Sequence, residues 1–346
     1  RRIAVPAYPL LTQRANACLT RFQHVIADAS PQLILGTTET LEHLPASLST
    51  TRLNTASIPA TATLLTHLPR IHSHDIAYLQ YTSGSTQSAK GVIISHQTIS
   101  TNLAYEQDWQ RPQPGHNNLT VNWVPMQHDL GMLVGVIGAI VYDRPTVIMT
   151  PQTFLHTPAA WLRAIHRFQA THSACPNFGY QYACDKIRPD QVSDCDLSSW
   201  VMAGNGGEHI REATITQFQQ RFHSIGFHPE AFYPCYGMAE VGLFITAKHT
   251  RPTQFTSANQ LRQTTYFNQH QAHHAQAVCH LGQLGKAHRM LIVNPDTLAP
   301  LPAGDIGEIW LSGTSLSPGY WNNHAATLSQ FHAYTADGNG PLFSHR

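Results

Sequence analysis

The sequence is poor in charge and contains only four lysines among its 346 residues. Lysine and arginine together number 21, against 20 aspartates and glutamates, and they form no block along the chain. A basic surface for nucleic acid is therefore not indicated. A disordered, charge-driven tail is excluded as well, because 42% of the residues are hydrophobic and a chain of this length can bury a core.

Long apolar runs and closely spaced cysteine pairs are missing too. The longest apolar run, Met132–Tyr142, is broken by glycines and is too short to span a bilayer. The six cysteines include no Cys-x-x-Cys pair, and no signal peptide is in view. We interpret them as reduced thiols of a cytoplasmic protein. Because the chain begins with Arg1 rather than methionine, we interpret it as a fragment of a longer protein.

Strand and helix patterns alternate along most of the chain. Short apolar or β-branched runs that end in turn residues predict strands at Ile76–Tyr81, Thr146–Met149, Thr171–Cys175 and Trp200–Ala203. Amphipathic stretches predict helices at Thr98–Asp108, Ala159–Phe168 and Arg211–Phe222. This alternation predicts an α/β fold in which helices flank parallel sheets.

The pattern changes after Leu281. Strands are predicted at Met290–Val293 and Glu308–Leu311, so we expect a smaller, β-rich and incomplete portion. Before it, Lys248–Ala277 is polar and rich in Gln, His and Thr, which indicates a loop or an insertion. The spacing of the histidines and cysteine in this region matches no common zinc pattern, so we do not predict a metal site from His270, His273, His274, Cys279 and His280.

The segment after Tyr81 carries the first candidate site, formed by Thr82, Ser83, Gly84, Ser85, Thr86 and Lys90. Hydroxyls and free backbone N–H groups on such a loop make a concave anion site, and the lysine adds a positive charge. The loop is not a P-loop, because Gly91 rather than serine or threonine follows the lysine. Two interpretations of this segment remain open, an ordinary turn and a phosphate-binding loop. The scarcity of lysine in the chain favours phosphate binding.

His128 and Asp129 precede a glycine-studded apolar stretch. One interpretation is a helix cap, in which Asp129 accepts hydrogen bonds from backbone N–H groups. The other places His128 in a pocket that faces a substrate. The residues alone favour the cap.

Two further loops, residues 203–208 and 232–240, follow predicted strands. Loops at the carboxyl ends of parallel strands are where such folds bind ligands. The candidate contact residues are Gly206, Gly207, Tyr236 and Glu240. The glycines let a flat ring approach the backbone, the tyrosine offers a stacking face, and the glutamate offers a hard oxygen ligand to Mg²⁺. Neither loop matches Gly-x-Gly-x-x-Gly, so a dinucleotide fold is not favoured.

Taken together and in this order, the four segments resemble the adenylate-forming enzymes, the superfamily of acyl-CoA synthetases and adenylation domains. Further stretches support the resemblance: Val5–Pro9, Pro176–Tyr180, Asp196–Trp200, Ala231–Tyr236 and Gly307–Gly313. The chain most resembles the fatty acyl-AMP ligases, which usually carry alanine at the position of Ala239, whereas CoA-forming relatives usually carry threonine. Gln87, Ala89 and His209 depart from the motifs, where glycine, proline and proline are usual.

The resemblance implies an incomplete large domain of such an enzyme. It predicts α/β subdomains over residues 1–170 and 171–277 and a partial β-rich subdomain over 278–346, without the mobile C-terminal domain that carries a catalytic lysine. Lys248–Ala277 lies where the fatty acyl-AMP ligases have an inserted segment that hinders the domain rotation needed for CoA chemistry. For the fragment alone, the resemblance predicts little or no activity.

The resemblance also implies a reaction. A fatty carboxylate attacks the α-phosphate of ATP, which gives acyl-AMP and pyrophosphate, and the acyl group passes to the phosphopantetheine thiol of an acyl carrier protein. The loop 82–86 and Lys90 would hold the pyrophosphate end, Glu240 would hold Mg²⁺, and His128 would lie beside the α-phosphate. A fatty acid, ATP, Mg²⁺ and a carrier protein are thus the expected ligands, without nucleic acid or stable membrane insertion.

The remaining implied contacts concern the adenine and the acyl chain. The adenine would be lined by the loops 203–208 and 232–240, with the ring of Tyr236 stacked on it. The nucleotide-binding residues in these loops are Gly206, Gly207, Glu208, Tyr236, Gly237 and Met238. An apolar tunnel would select chain length, because each buried methylene contributes about 0.8 kcal/mol. Its candidate lining residues are Phe178, Tyr180 and Met238.

Three alternatives remain open. The first is a fatty acyl-CoA synthetase, against which Ala239 and the long polar stretch argue. The second is an amino-acid-activating domain of a peptide synthetase, which usually has an aspartate for the substrate amine near the His128 region, within a different local pattern. The third is a non-catalytic fragment that binds a nucleotide or nothing.

Overall fold

The computed structural model describes residues 2–10, 15–59, 69–82, 90–109, 118–247, 253–257 and 277–345. The chain divides into two compact units. The first comprises Arg1–His96 and Pro318–Thr327, and the second comprises Gln97–Ser317 and Leu328–Arg346. Within the ranges just given, no helix has the length and apolar character needed to cross a membrane.

The first unit is built from α1 (Ala15–Ala29), β1 (Leu33–Gly36), α2 (Thr38–Glu42), β2 (Thr51–Asn54), β3 (Ile76–Tyr81) and β4 (Gly91–Ser95). β1 and β2 pair in parallel, while β3 and β4 form an antiparallel hairpin. β3 has the bounds that the sequence predicts. Val25 of α1 packs with Leu79 and Tyr81 of β3 in a small buried core, which ties the helix to the hairpin.

The chain continues through α3 (His96–Trp109), β5 (Thr120–Asn122), α4 (Asp129–Met132), α5 (Gly138–Val141), β6 (Thr146–Ile148), α6 (Pro151–His156), α7 (Ala159–Phe168), β7 (His172–Cys175), α8 (Asn177–Lys186), β8 (Met202–Asn205), α9 (Glu212–Phe222), β9 (Phe232–Gly237), β10 (Phe244–Ala247), β11 (Phe255–Thr256), β12 (Val278–Cys279), β13 (Gln283–Leu284), β14 (His288–Val293), β15 (Glu308–Gly313), α10 (His324–Phe331) and β16 (Phe343–His345). A π-helical turn, Leu133–Ile137, joins α4 to α5, so the longest apolar run of the sequence is helical.

A seven-stranded sheet organises the second unit, in the order β13-β10-β9-β8-β7-β5-β6. The five strands from β9 to β6 run parallel, whereas β10 pairs antiparallel with β9 and with β13. Helices α7, α8 and α9 alternate with the parallel strands along the chain. The sequence predicts this alternation and the helices α7 and α9, but not α8. The carboxyl ends of β5, β7, β8 and β9 therefore lie along one edge of the sheet, where α/β folds place their ligands.

An aromatic core holds α7, α8 and α9 against this sheet. Its central side chains are at most 1% exposed: Trp161, Tyr180, Trp200, Phe218 and Phe232. Their ring centroids lie 5.0–6.4 Å apart, mostly edge to face. Each such ring buries on the order of 150–250 Å², so this cluster dominates the apolar burial around β8.

The β-rich portion is a three-stranded antiparallel sheet in the order β14-β15-β16. The predicted strands at Met290–Val293 and Glu308–Leu311 lie inside β14 and β15. Val293, Trp310 and Leu342 form its buried core.

Two sequence predictions differ from the structure. The strand predicted at Trp200–Ala203 begins later, at Met202, because Trp200 closes a turn in which its N–H donates to the Leu197 carbonyl at 3.0 Å. Residues 232–240, expected to be a loop that follows a strand, include β9 itself (Phe232–Gly237), because these residues pair with β8 and β10.

Of the predicted insertion Lys248–Ala277, the described residues are 253–257 and Ala277. They include β11, which pairs antiparallel with β12. The remainder of that prediction lies outside the described residues.

Candidate functional site

The first candidate loop connects β3 to β4 at the end of their hairpin. Tyr81 pairs with Gly91, and the N–H of Thr82 donates to the Lys90 carbonyl at 3.4 Å, so the two ends of the loop are held together. A Cβ on Gly91 would lie 2.8 Å from the Tyr81 ring, which explains the glycine after the lysine. The loop residues between these ends lie outside the described residues, and they are Ser83, Gly84, Ser85, Thr86, Gln87, Ser88 and Ala89.

The base of this loop is anchored to α1. The Tyr81 hydroxyl donates to Asp28 Oδ2 at 2.5 Å. Burial, and then the neighbouring carboxylate, raise the pKa of Tyr81 well above its usual value, so the phenol stays protonated as a donor. Lys90 is half-buried beside this anchor, with its Nζ 5.0 Å from the centroid of the Tyr320 ring.

The second segment begins α4 with a cap, as the residues favour. His128 is the N-cap residue, and Asp129 Oδ1 accepts from the Leu130 N–H at 2.7 Å. His128 Nδ1 lies 2.6 Å from Asp129 Oδ1 and 3.3 Å from the Leu130 nitrogen. One nitrogen cannot both donate to the carboxylate and accept from the amide, and the shorter contact decides in favour of a proton on Nδ1. In the neutral ring, Nε2 is then the acceptor, and the His128 side chain is 38% exposed.

The third segment turns sharply after β8. A Cβ on Gly206 would lie 2.6 Å from Cys235 Sγ and 2.8 Å from the Cys235 carbonyl oxygen, so only glycine lets this loop lie against β9. Gly207 has φ +81° and open space around it, which is a turn conformation that favours glycine. Glycine is thus required at position 206 by the close approach of β9, and it is favoured at position 207 by the backbone conformation.

Glu208 acts locally as an anchor for α8. Its Oε1 accepts from the backbone N–H of Phe178 at 2.5 Å, in the first turn of that helix. A carboxylate at a helix N-terminus is stabilised by the unpaired N–H groups and the helix dipole. This bond joins the carboxyl ends of β7 and β8 through their following segments.

The predicted tunnel residues lie in different environments. Tyr180 is fully buried in the aromatic core, and its hydroxyl donates to the Gly204 carbonyl at 2.7 Å. Phe178 is 45% exposed and packs edge to face on Trp123 at 5.9 Å between centroids. Met238 is half-buried. Phe178 and Met238 thus retain accessible surface, whereas Tyr180 belongs to the core.

The fourth segment brings Tyr236 and Glu240 within electrostatic reach of each other. Burial, and then the negative charge of Glu240, raise the pKa of Tyr236 to about 12. The Tyr236 hydroxyl lies 3.0 Å from Nδ1 of His345 on β16, in hydrogen-bond contact. The half-buried Glu240 is held through its own carbonyl, which accepts from the Ser317 N–H at 2.7 Å.

Electrostatics also connects the second segment with β9. Burial, followed by the charges of Cys279 and Asp129, raises the pKa of the Cys235 thiol to about 12. Asp129 is therefore within electrostatic range of the strand against which Gly206 packs. The segments after β5, β8 and β9 face a shared region at the carboxyl edge of the sheet.

Asn102 on α3 is a residue that the sequence analysis missed. Its side-chain amide donates to the carbonyls of Val241 and Phe244 at 2.8 and 3.1 Å and accepts from the Phe244 N–H at 2.9 Å. These bonds fix the chain directly after Glu240. A signal was present in the sequence, because Thr98, Asn102 and Glu106 form a polar stripe at four-residue spacing, and all three are at most 1% exposed.

Close backbone packing completes the fourth segment. The N–H of Met238 donates to the Leu243 carbonyl at 2.8 Å. A Cβ on Gly237 would overlap that same carbonyl oxygen, at 1.6 Å, so the turn requires glycine.

The cysteine and histidine that follow the polar stretch are engaged elsewhere. Cys279 is buried, and His280 Nε2 lies 2.6 Å from Thr256 Oγ1. Across the described ranges, no three metal-ligating side chains cluster. His270, His273 and His274 lie outside those ranges.

Comparison with known proteins identifies the chain's relatives. A model of the AMP-binding enzyme family matches residues 2–321. The medium-chain fatty acid–acyl carrier protein ligase JamA of Moorena producens is 32% identical over 98% of this chain and 60% of its own length. The ligase TtuA of Teredinibacter turnerae, with the same described activity, is 33% identical over 74% of this chain and 40% of its own length.

Solved structures agree with this assignment. The crystal structure of a fatty acyl-adenylate ligase from L. pneumophila, in complex with acyl adenylate and pyrophosphate, superposes with a TM-score of 0.87 and 32% identity. It is matched over 99% of this chain and 60% of its own length. The chain thus spans about 60% of the length of JamA and of this ligase. The predicted α/β architecture of an adenylate-forming large domain is confirmed.

Proposed function

Because the chain belongs to the AMP-binding enzyme family, we propose that the gene product containing it activates a fatty acid with ATP, forming acyl-AMP and pyrophosphate. The observation that carries this proposal is the row of strand ends in the second unit. The segments that follow β5, β8 and β9 present His128, Glu208 and Glu240 along one edge of a single sheet. The similarity to fatty acid ligases across nearly the whole chain supports the choice of substrate.

The proposed roles follow from charge and shape. Transfer of a nucleotidyl group needs in-line positioning and neutralised phosphate charge more than covalent help from the protein. Lys90 supplies positive charge to the pyrophosphate end. The loop at Gly206 and Gly207 and the ring of Tyr236 provide flat surfaces for the adenine. His128, whose Nδ1 contacts Asp129 Oδ1, would place its ring beside the reacting carboxylate and α-phosphate.

Mg²⁺ fits the donor set of the fourth segment. Magnesium usually binds proteins through one or two carboxylates and takes its other ligands from substrate phosphates and water. Glu240 offers a single half-buried carboxylate, and the part of the chain that the structure describes has no cluster of ligating side chains. This arrangement agrees with the coordination that Mg²⁺ prefers. When bound, the ion would screen the phosphate oxygens from the incoming carboxylate.

We propose an acyl carrier protein as the acceptor of the acyl group. Ala239, which is buried within the fourth segment, supports this choice through the resemblance to fatty acyl-AMP ligases. The described activities of JamA and TtuA, both ligases to an acyl carrier protein, support it as well. The cytoplasm is the proposed compartment, in keeping with the free thiols of the five described cysteines.

Thin-layer chromatography with labelled fatty acid tests the proposal. The full-length gene product with ATP and Mg²⁺ should form acyl-adenylate, which a phosphopantetheinylated carrier protein should then discharge. Coenzyme A in place of the carrier serves as the matched acceptor. Rapid acyl-CoA formation without loading of the carrier would favour an acyl-CoA synthetase, and activation of amino acids but no fatty acid would overturn the substrate class.

A further inference from the structure

A late segment of the chain lies against the β3–β4 hairpin of the first unit. The N–H of Ile93 donates to the Gly319 carbonyl at 3.0 Å, and the N–H of Trp321 donates to the Gly91 carbonyl at 2.7 Å. Between these bonds, Tyr320 forms an antiparallel bridge with Val92. The backbone of Tyr320 is thus fixed beside the strand that begins directly after Lys90.

The side chain of Tyr320 is held with little freedom. It is 5% exposed, and its backbone N–H donates to Thr327 Oγ1 at 3.0 Å. Its ring centroid lies 5.0 Å from Lys90 Nζ. An ammonium within about 6 Å of an aromatic ring centroid is attracted to the negative face of the ring.

An aromatic ring is better suited than a carboxylate to hold the Lys90 ammonium in place. A lysine side chain loses much rotamer freedom when it is fixed, so a lysine held in advance loses less when a ligand binds. A carboxylate would hold the ammonium by neutralising it, and an incoming phosphate would have to compete with that ion pair. An uncharged ring limits the movement of the ammonium without neutralising it.

We propose that Tyr320 is a positioning residue for Lys90, and that its ring holds the ammonium ready for the polyphosphate of ATP. This inference rests on the proposed function, in which Lys90 contacts the pyrophosphate end. It assigns a role to a residue that lies 230 positions away in the sequence.

The contact itself is measured without any assay of activity. The chain has four lysines, so a carbon–proton correlation spectrum of protein labelled with ¹³C-lysine shows few εCH₂ signals, and Lys90→Arg identifies the one from Lys90. A ring face shifts nearby protons upfield. We expect an upfield Lys90 signal in the wild type, which Tyr320→Phe keeps and Tyr320→Leu loses.

The dispersion of the backbone amide signals reports whether each variant is folded. If Tyr320→Leu does not fold, Tyr320→Met provides an unbranched side chain without a ring. An unshifted Lys90 signal in the wild type, or a shifted one that survives removal of the ring in a folded variant, would overturn the proposal.

The consequence for binding is measured with the full-length gene product. Loss of a partly exposed cation–π contact corresponds to roughly a two- to fivefold effect, so Tyr320→Leu should raise the KM for ATP by about that factor while Tyr320→Phe restores it. In a Lys90→Met background, the same Tyr320→Leu change should have no further effect on KM. A purely structural role of Tyr320 would lower activity equally in both backgrounds.

The two levels of the proposal fail separately. If Lys90→Met leaves the KM for ATP and the rate of adenylation unchanged, Lys90 does not bind phosphate and the proposed function of the loop is wrong. If Lys90→Met impairs the enzyme but Tyr320→Leu does not change the KM, Lys90 keeps its role and the positioning by Tyr320 is wrong.

Discussion

Asn102 and Phe244 exchange two hydrogen bonds, since the Asn102 amide donates to the Phe244 carbonyl at 3.1 Å and accepts from the Phe244 N–H at 2.9 Å. The two residues are 142 positions apart. Together with the bond to Val241, this pairing fixes the exit of the segment that carries Tyr236 and Glu240. The geometry of the proposed nucleotide site therefore depends on a buried amide of a helix that contributes no residue to it.

Replacement of Asn102 by Ala should destabilise the protein by at least about 2 kcal/mol. The change leaves buried backbone groups without hydrogen-bond partners, and each such group costs about 1–3 kcal/mol. Denaturant unfolding measures the loss. Asn294→Ala is the matched control, because Asn294 also bonds two backbone N–H groups, of Asp296 and Thr297, but in an exposed turn that water can serve. Equal losses in the two variants would contradict a special role for Asn102.

Lys90→Ala and Glu240→Gln should each slow adenylation by the full-length gene product at least roughly tenfold. Each variant removes a charge that balances the phosphates, on the order of 1.4 kcal/mol or more of transition-state stabilisation. The exposed residues Lys186 and Glu230 provide controls of the same types as Lys186→Ala and Glu230→Gln. Near wild-type rates in both site variants would reassign the two segments as structural.

Gly206→Ala should raise the KM for ATP, because the new Cβ would meet both the sulfur and the carbonyl of Cys235 and push the loop away from β9. Overpacking of this kind costs about 1–3 kcal/mol of stability. Gly304→Ala is a control, because Gly304 has φ +100° and no atom within 4 Å of an added Cβ, so its cost is backbone strain alone. A KM for ATP that changes equally in both variants would argue against a nucleotide beside Gly206.

Acid should destabilise the fold through His288. Burial lowers the pKa of this histidine to about 4, below the usual 6.5 that it regains on unfolding. Between these values the unfolded chain binds more protons than the folded one, so stability falls as the pH drops from 6.5 towards 4. At pH 5 the loss is on the order of 2 kcal/mol relative to neutral pH.

His288→Gln removes this titration and keeps a polar partner for Ser315, whose hydroxyl lies 2.5 Å from His288 Nε2. Its unfolding free energy should depend less on pH between 7 and 5 than that of the wild type. The exposed His324, changed to Gln, should leave the pH dependence as it is. An unchanged pH dependence in His288→Gln would show that the acid sensitivity comes from other buried groups, such as His172, whose pKa burial lowers to about 3.

The elements and the strand-end loops followed from local patterns. The helix Ala159–Phe168 has the predicted bounds because its apolar residues Trp161, Leu162 and Ile165 recur on one face, and that face is buried. The cap of α4 was also visible, since Asp129 accepts from the Leu130 N–H within one turn.

Long-range partners were not visible. The bond between Glu208 and the Phe178 N–H spans 30 residues, and the bonds of Asn102 to the fourth segment span about 140. Sequence spacing predicts which face of an element a side chain occupies, but the chain that packs on that face is decided by the tertiary fold. Glu208 is expected at the adenine, and its carboxylate also accepts from the Phe178 N–H in α8, a contact that the sequence does not predict.

The most direct measurement is the exchange of labelled pyrophosphate into ATP by the full-length gene product, which reports adenylation in both directions without a carrier protein. Exchange should rise when a medium- or long-chain fatty acid is added, stay at background with amino acids, and fall at least roughly tenfold in Glu240→Gln. Exchange that responds to amino acids but to no fatty acid would contradict the assignment of this chain to fatty acid activation.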